Sequence, residues 1–229
     1  MVSYTSDLVY YHSLTPSEKL SVRLEIPVLA LSTVIENHEP LIDLRVLDTE
    51  KSLLFHKSIP NTLIRAGFAQ KILSIAQRAK AQGYLLEIYE LYRSIRKQAR
   101  EFFDIEHAFR VLHPEASEDE IYSKTTQYIA DPFMIPPHCT GGAIDVILRD
   151  IQTLEAIDMG APINTAHEIS HIIYEDLTCT QKANRQILLQ LFLEVGCAPL
   201  PTEWWHFSFG ERYWAAFYQT QAQYGMIQP

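Results

Sequence analysis

What this sequence lacks narrows its function before any motif is read. It has three cysteines in 229 residues, Cys139, Cys179 and Cys197, an odd number at wide spacings. That argues against a disulfide framework and against a four-thiolate zinc site, both of which need thiols in closely spaced sets. Basic charge is also scarce: 19 Lys+Arg stand against 28 Asp+Glu, for a formal net charge of -9. The longest basic cluster, Arg93 to Arg100, would spread around a helix rather than form a stripe. No nucleic-acid partner is expected, because phosphate binding rests on concentrated positive charge.

No run approaches the ~20 apolar residues that a membrane span needs. The opening residues, Met1 to Asp7, have neither the basic n-region nor the apolar h-region of a secretory leader. Together with unpaired thiols, this points to a cytoplasmic protein. There is no internal repeat, low-complexity tract or Gly/Ser linker, and the 12 prolines are scattered apart from Pro136-Pro137. The expectation is one domain over residues 1–229.

What is present is a 47% hydrophobic chain, enough to fill a core. The first sixty residues mix apolar runs, Leu24 to Leu31 and Leu41 to Leu47, with prolines and charges, and read as short strands and loops. Asn61 is placed to cap a helix running to about Gln82, with Leu63, Ile64, Phe68, Ile72, Ile75 and Ala76 at near-helical spacing and Gly83 closing it. Tyr84 to Tyr92 reads as a buried strand and Ser94 to Leu112 as a helix. A further helix begins at Ser117, where Ser117-Glu118-Asp119-Glu120 has the form of a capping box. Ala143 to Leu148 alternates as a strand, Gln181 to Val195 reads as a helix before Gly196, and His206 to Phe209 as a core strand. Helices and strands interleave without a strict βαβ rhythm. This predicts an α+β domain with a mainly antiparallel central sheet flanked by helices.

Two histidine constellations compete for a metal. The first is Pro137-His138-Cys139-Thr140-Gly141-Gly142-Ala143-Ile144-Asp145, followed by Glu203-Trp204-Trp205-His206. Zinc in a hydrolytic site takes three protein ligands and keeps one position open for water, and His138, Asp145 and His206 can supply the three. Gly141 and Gly142 permit a tight turn or close backbone approach between His138 and the strand carrying Asp145. Glu203 can then serve as general base, taking a proton from water and returning it to the leaving amine. A regular strand would put Glu203 and His206 on opposite faces, so Glu203 is expected on an irregular run-in after Pro201. Taken singly, each residue reads as an ordinary loop, surface or capping group, and the combination carries the metal reading.

The second constellation, His167-Glu168-Ile169-Ser170-His171, matches the pattern that puts two zinc-binding histidines on one helical face. It needs a third ligand, and Glu175 and Glu194 are the nearest candidates, without supporting neighbours. The plainer reading of His167 and His171 is as partly buried polar groups of a helix. Arg93, at the end of the apolar run Leu85 to Tyr92, places a permanent cation where it can stabilise an oxyanion, although its position alone also suits a surface or helix-start arginine.

These motifs resemble the D-alanyl-D-alanine dipeptidases of the VanX type, zinc peptidases that cleave a cell-wall precursor dipeptide. The family's Ser-x-His-x-x-Gly-x-Ala-x-Asp resembles Pro136 to Asp145, and its Glu-x-Trp-His resembles Glu203 to His206. Its Tyr-Arg-Pro element resembles Tyr92-Arg93-Ser94, whose arginine is taken to stabilise the transition state. Ala81-Gln82-Gly83-Tyr84 upstream has the expected character. A Met-Gly turn and a Glu-x-Ser-His stretch resemble Met159-Gly160 and Glu168 to His171, which makes the second histidine pattern incidental.

The resemblance implies one Zn2+ per chain held by His138, Asp145 and His206, Glu203 as base, Arg93 as electrostatic clamp and a small dipeptide as substrate. Three departures stand out. Pro136 replaces a serine, Ser94 replaces a proline, and Asn164 stands where the family tends to place the aspartate that pairs with the substrate ammonium. Asn164 would keep a hydrogen bond there and lose the ion pair. The alternatives are a D,D-carboxypeptidase or muramyl endopeptidase of the same metal chemistry, or a non-catalytic peptide-binding relative.

Overall fold

The computed structural model describes residues 4–22, 24, 29 and 32–227. The apolar run Leu24 to Leu31, read above as strand and loop, lies outside the described residues except for Leu24 and Leu29. Two short helices open the chain, α1 (Tyr4–Ser13) and α2 (Pro16–Lys19). This corrects the expectation of only strands and loops in the first sixty residues. The α1 sequence carries no clear apolar stripe, and α1 is instead anchored by Tyr11, packed with Tyr213 and Phe217 in a small second core.

The run Leu41 to Leu47 divides into strand β1 (Leu41–Asp43) and the helical turn α3 (Leu44–Leu47), with the Asp43 side chain capping the turn at Arg45 N. After β2 (Leu53–Phe55) comes β3 (Leu63–Arg65), which pairs antiparallel with β1. Only then does α4 (Ala66–Ala81) begin, with its cap at Arg65, four residues later than expected. Asn61 does not cap it. Its Oδ1 accepts from Leu63 N, and its Nδ2 donates to the carbonyl of Tyr92.

Elsewhere the local signals agree with the structure. Gly83 follows α4 in the left-handed region, with φ +88°. Strand β4 covers Tyr84–Glu90, and α5 (Ile95–Leu112) is capped by Ser94. Helix α6 (Glu118–Tyr128) carries the full Ser117/Glu120 capping box. After β5 (Ala143–Asp150), a Thr178/Gln181 box opens α7 (Cys179–Leu193), and β6 (Ala198–Leu200), β7 (Glu203–Ser208) and α8 (Arg212–Tyr218) complete the chain.

The main sheet has the order β2-β4-β5-β7-β6, and among its described pairs only β2 with β4 runs parallel. The mainly antiparallel α+β expectation holds. Strand β5 departs from simple alternation: it is buried continuously from Ala143 to Leu148, because it is the central strand with both faces covered. Phe68, Ile72 and Ile75 of α4 and Leu188, Leu189 and Phe192 of α7 belong to the same core as the sheet residues Ile144 and Phe207. Phe192 stacks on Phe207 with ring centroids 3.9 Å apart. Since strand neighbours alternate in direction, His206 beside Phe207 is turned away from α7, toward the opposite face.

Candidate metal centre

That opposite face carries a row of polar residues across three adjacent strands. Glu90 of β4 is opposite Asp145 of β5, and Asp145 is opposite His206 of β7, so register alone sets three side chains side by side. Asp145 is 5% and His206 5% exposed. Charged groups this deep need partners, and they find them in one another.

His138 reaches the row from a short 3-10 turn, Pro137–Thr140, that ends at Gly141 with φ +71°. A Cβ on Gly141 would lie 2.5 Å from Leu41 Cδ2, and one on Gly142 would lie 2.5 Å from the Phe209 carbonyl. The two glycines therefore provide the tight turn and close approach expected of them. The backbone after β4 grips His138 at two points: Arg93 N donates to its carbonyl at 3.1 Å, and its ring Nδ1–H donates to the carbonyl of Leu91 at 2.8 Å. With the proton committed to Nδ1, Nε2 is left as a lone-pair donor facing the row.

Three atoms converge there. His206 Nδ1 lies 2.9 Å from Asp145 Oδ1, while His138 Nε2 lies 3.3 Å from His206 Nδ1 and 3.4 Å from Asp145 Oδ1. In a tetrahedral zinc site with bonds of about 2.0–2.1 Å, ligand atoms sit roughly 3.3 Å apart. The triangle has that size, and two imidazole nitrogens 3.3 Å apart need either a shared proton or a metal ion between them. Two histidines and a carboxylate are the donor set of a hydrolytic zinc site, so the residues present fit such an ion. Burial alone would raise the Asp145 carboxyl, but His138 and His206 hold it well below the usual carboxylate range. Burial would lower His206, and the Asp145 carboxylate holds it above its ordinary value instead.

Glu203 opens β7, and its Oε2 lies 3.9 Å from His206 Nδ1. The irregularity expected near it is a register shift: Phe207 faces Pro199, but Glu203 faces Leu200. This break in the pleat lets Glu203 and His206 line the same cavity despite their odd spacing.

Arg93 is also in the cavity wall, held by a charge network. Its Nε donates to Glu90 Oε1 at 2.9 Å, Nη2 to Glu90 Oε2, and Nη1 to Gln98 at 2.9 Å with Glu101 at 3.3 Å. Lys97 bridges Glu90 and Glu101. Burial would raise the Glu90 carboxyl, but the hydrogen bonds and charge of Arg93 hold it at about 2.

The cavity of about 190 Å³ is lined by His138, Asp145, His206, Glu203, Arg93 and Asn164, so all six residues singled out from sequence meet at one place. Asn164 is in the left-handed region at φ +63°. Sequence reading missed Glu90, Glu211 and Arg212. Glu90 had a weak signal, a carboxylate three residues before Arg93 at a strand end, whereas Glu211 and Arg212 had none.

The second histidine pattern is not on an α-helix. Glu168–Ser170 is one 3-10 turn, and the exposed His167 caps it by accepting from Ile169 N through Nδ1. This corrects the helical reading of both histidines. The segment is clamped by buried Arg185, which donates to the carbonyls of Met159, Ile169 and His171.

With this geometry in place, a family model described as D-ala-D-ala dipeptidase, of peptidase family M15, matches residues 51–224. The chain belongs to this family. It is a peptidase, and the matched span contains every residue of the centre. A D-alanyl-D-alanine dipeptidase of Synechocystis sp. is 29% identical over 180 residues, covering 62% of this chain and 68% of the relative. One of Escherichia coli K12 is 31% identical over 137 residues, covering 60% of each. One of Enterococcus faecium is 27% identical over 146 residues, covering 61% of this chain and 69% of the relative. In this family member no helix among the described residues is long and apolar enough to cross a membrane.

Proposed function

We propose that this chain hydrolyses the peptide bond of D-Ala-D-Ala or a closely similar small dipeptide, with one zinc ion per chain held by His138, Asp145 and His206. The observation that carries the reading is the buried triangle of donor atoms with Glu203 beside it. The whole chain is read as a single zinc peptidase domain acting in the cytoplasm.

When bound, zinc supplies Lewis-acid polarisation of the scissile carbonyl and lowers the pKa of water. Glu203, with its side chain 32% exposed to the cavity, is positioned to take a proton from the attacking water and pass it to the leaving nitrogen. Arg93, fixed by Glu90 and Gln98, offers its remaining N–H to the oxygen on which negative charge develops. The Asn164 amide oxygen accepts from the substrate ammonium as a neutral partner. The cavity is smaller than the roughly 300–1,000 Å³ typical of drug-sized ligands, which favours a small substrate.

A second reading, a D,D-carboxypeptidase or endopeptidase for longer cell-wall peptides, is favoured by one observation. An adjoining cavity of about 750 Å³ shares Gln127, Tyr128, Asn164, Thr202 and Glu203 with the first. The test is turnover of D-Ala-D-Ala and of an N-terminally extended peptide by zinc-loaded wild type and Glu203→Ala. The expected result is wild-type cleavage of the dipeptide and a loss of about 10²–10⁴-fold in kcat for the variant with zinc retained. Preference for the extended peptide would select the second reading, and a variant as fast as wild type would remove Glu203 from its role.

A further inference from the structure

A dipeptide brings a free carboxylate as well as a free ammonium, and the residues assigned so far leave the carboxylate without a partner. Two cations line the cavity among the described residues, Arg93 and Arg212. Arg93 is already matched. Glu90 and Glu101 face it and Lys97, so the four charges cancel locally, and most of its five N–H donors are engaged.

Arg212 is the opposite case. It is half-buried, no ion pair involves it among the described residues, and its Nε is buried with no hydrogen-bond partner. The nearest carboxylate in sequence, Glu211, is turned elsewhere, accepting from Ser208 Oγ at 2.7 Å and from the backbone N–H of Tyr213 and Trp214. Buried N–H donors are almost always satisfied, and a guanidinium is shaped to receive a carboxylate through two parallel N–H bonds. An arginine that lines the cavity holding the metal donors, with no ion pair among the described residues, is best explained by a ligand whose carboxylate its terminal N–H groups receive.

We propose that Arg212 binds the free α-carboxylate of the substrate's C-terminal residue, in the cavity that it lines together with the metal donors. This rests on the peptidase reading above and deepens it. It makes the site selective for peptides whose scissile bond is next to a free C-terminus, because a neutral end leaves the guanidinium unpaired.

The experiment measures binding apart from turnover. In zinc-loaded Glu203→Gln protein, with hydrolysis suppressed, calorimetry compares D-Ala-D-Ala with its C-terminal amide, with and without Arg212→Met or Arg212→Lys. The expected result is that Arg212→Met weakens the free acid about 10–100-fold, leaves the amide within about twofold, and that Arg212→Lys restores part of the loss. Equal weakening of acid and amide, or of neither, overturns the proposal. Zinc content and thermal midpoint of each variant report on folding separately. Failure of wild type to turn over any dipeptide would instead count against the peptidase substrate reading, while acid-over-amide preference that depends on Arg212 would still be measured.

Discussion

Replacing Glu90 with glutamine tests how the cation beside the centre is held. Glu90 and Arg93 side chains are 13% and 15% exposed and joined by two hydrogen bonds, so the swap leaves shape nearly constant while leaving Arg93 short of its main counter-charge. The Glu90 carboxyl is held at about 2 against an ordinary 4.5. At 1.36 kcal/mol per unit, that depression corresponds to about 3 kcal/mol, in line with the roughly 3–5 kcal/mol cost of breaking a buried pair.

The sign follows from the depressed value. Stability from Glu90 is fully present above its unfolded pKa and is lost as pH falls toward its folded one. The gap between wild type and Glu90→Gln in urea unfolding should therefore be about 3 kcal/mol at pH 7 and about 1 kcal/mol by pH 3. A gap that stays constant from pH 7 to pH 3, or one below about 0.5 kcal/mol at pH 7, would refute the claim that this carboxylate is ionised and paired in the folded protein.

Two further outcomes follow from the loop that carries Asn164. Arg185→Met should cost on the order of 2–4 kcal/mol in urea unfolding, because three carbonyls that accept from its guanidinium lose their donor at once. His167→Ala should leave zinc content and dipeptide turnover within about twofold of wild type, since His167 is exposed, caps a single turn and is not one of the three converging donors.

Much of the architecture is legible in the sequence wherever the determining physics is local. Ser117 with Glu120 and Ser94 before α5 announce their helices through side chains that satisfy free N–H groups, and Gly83 and Gly196 mark helix ends by adopting positive φ. Asn61 misleads because an asparagine before an apolar run is the same signal whether it caps a helix or, as here, ties a three-residue strand to Tyr92. The β1–β3 ladder that takes up Leu63 to Arg65 depends on the distant partner strand Leu41–Asp43 and leaves no periodic trace.

The centre divides in the same way. His138, Asp145, Glu203 and His206 are visible because two compact motifs contain them. Glu90 enters only through strand register, opposite Asp145, and Arg212 only through the packing of α8 against the cavity. The odd spacing of Glu203 and His206 implies a fault in β7 pairing, and that fault is a property of β6 as much as of β7.

The account stands most directly on zinc content per folded chain, measured by mass spectrometry after dialysis, for wild type and His138→Ala. His138 supplies one vertex of the donor triangle, its Nε2 freed by the hydrogen bond from Nδ1 to Leu91. The predicted result is near one zinc per chain for wild type and near zero for the variant. A folded His138→Ala protein that keeps wild-type zinc would contradict the account.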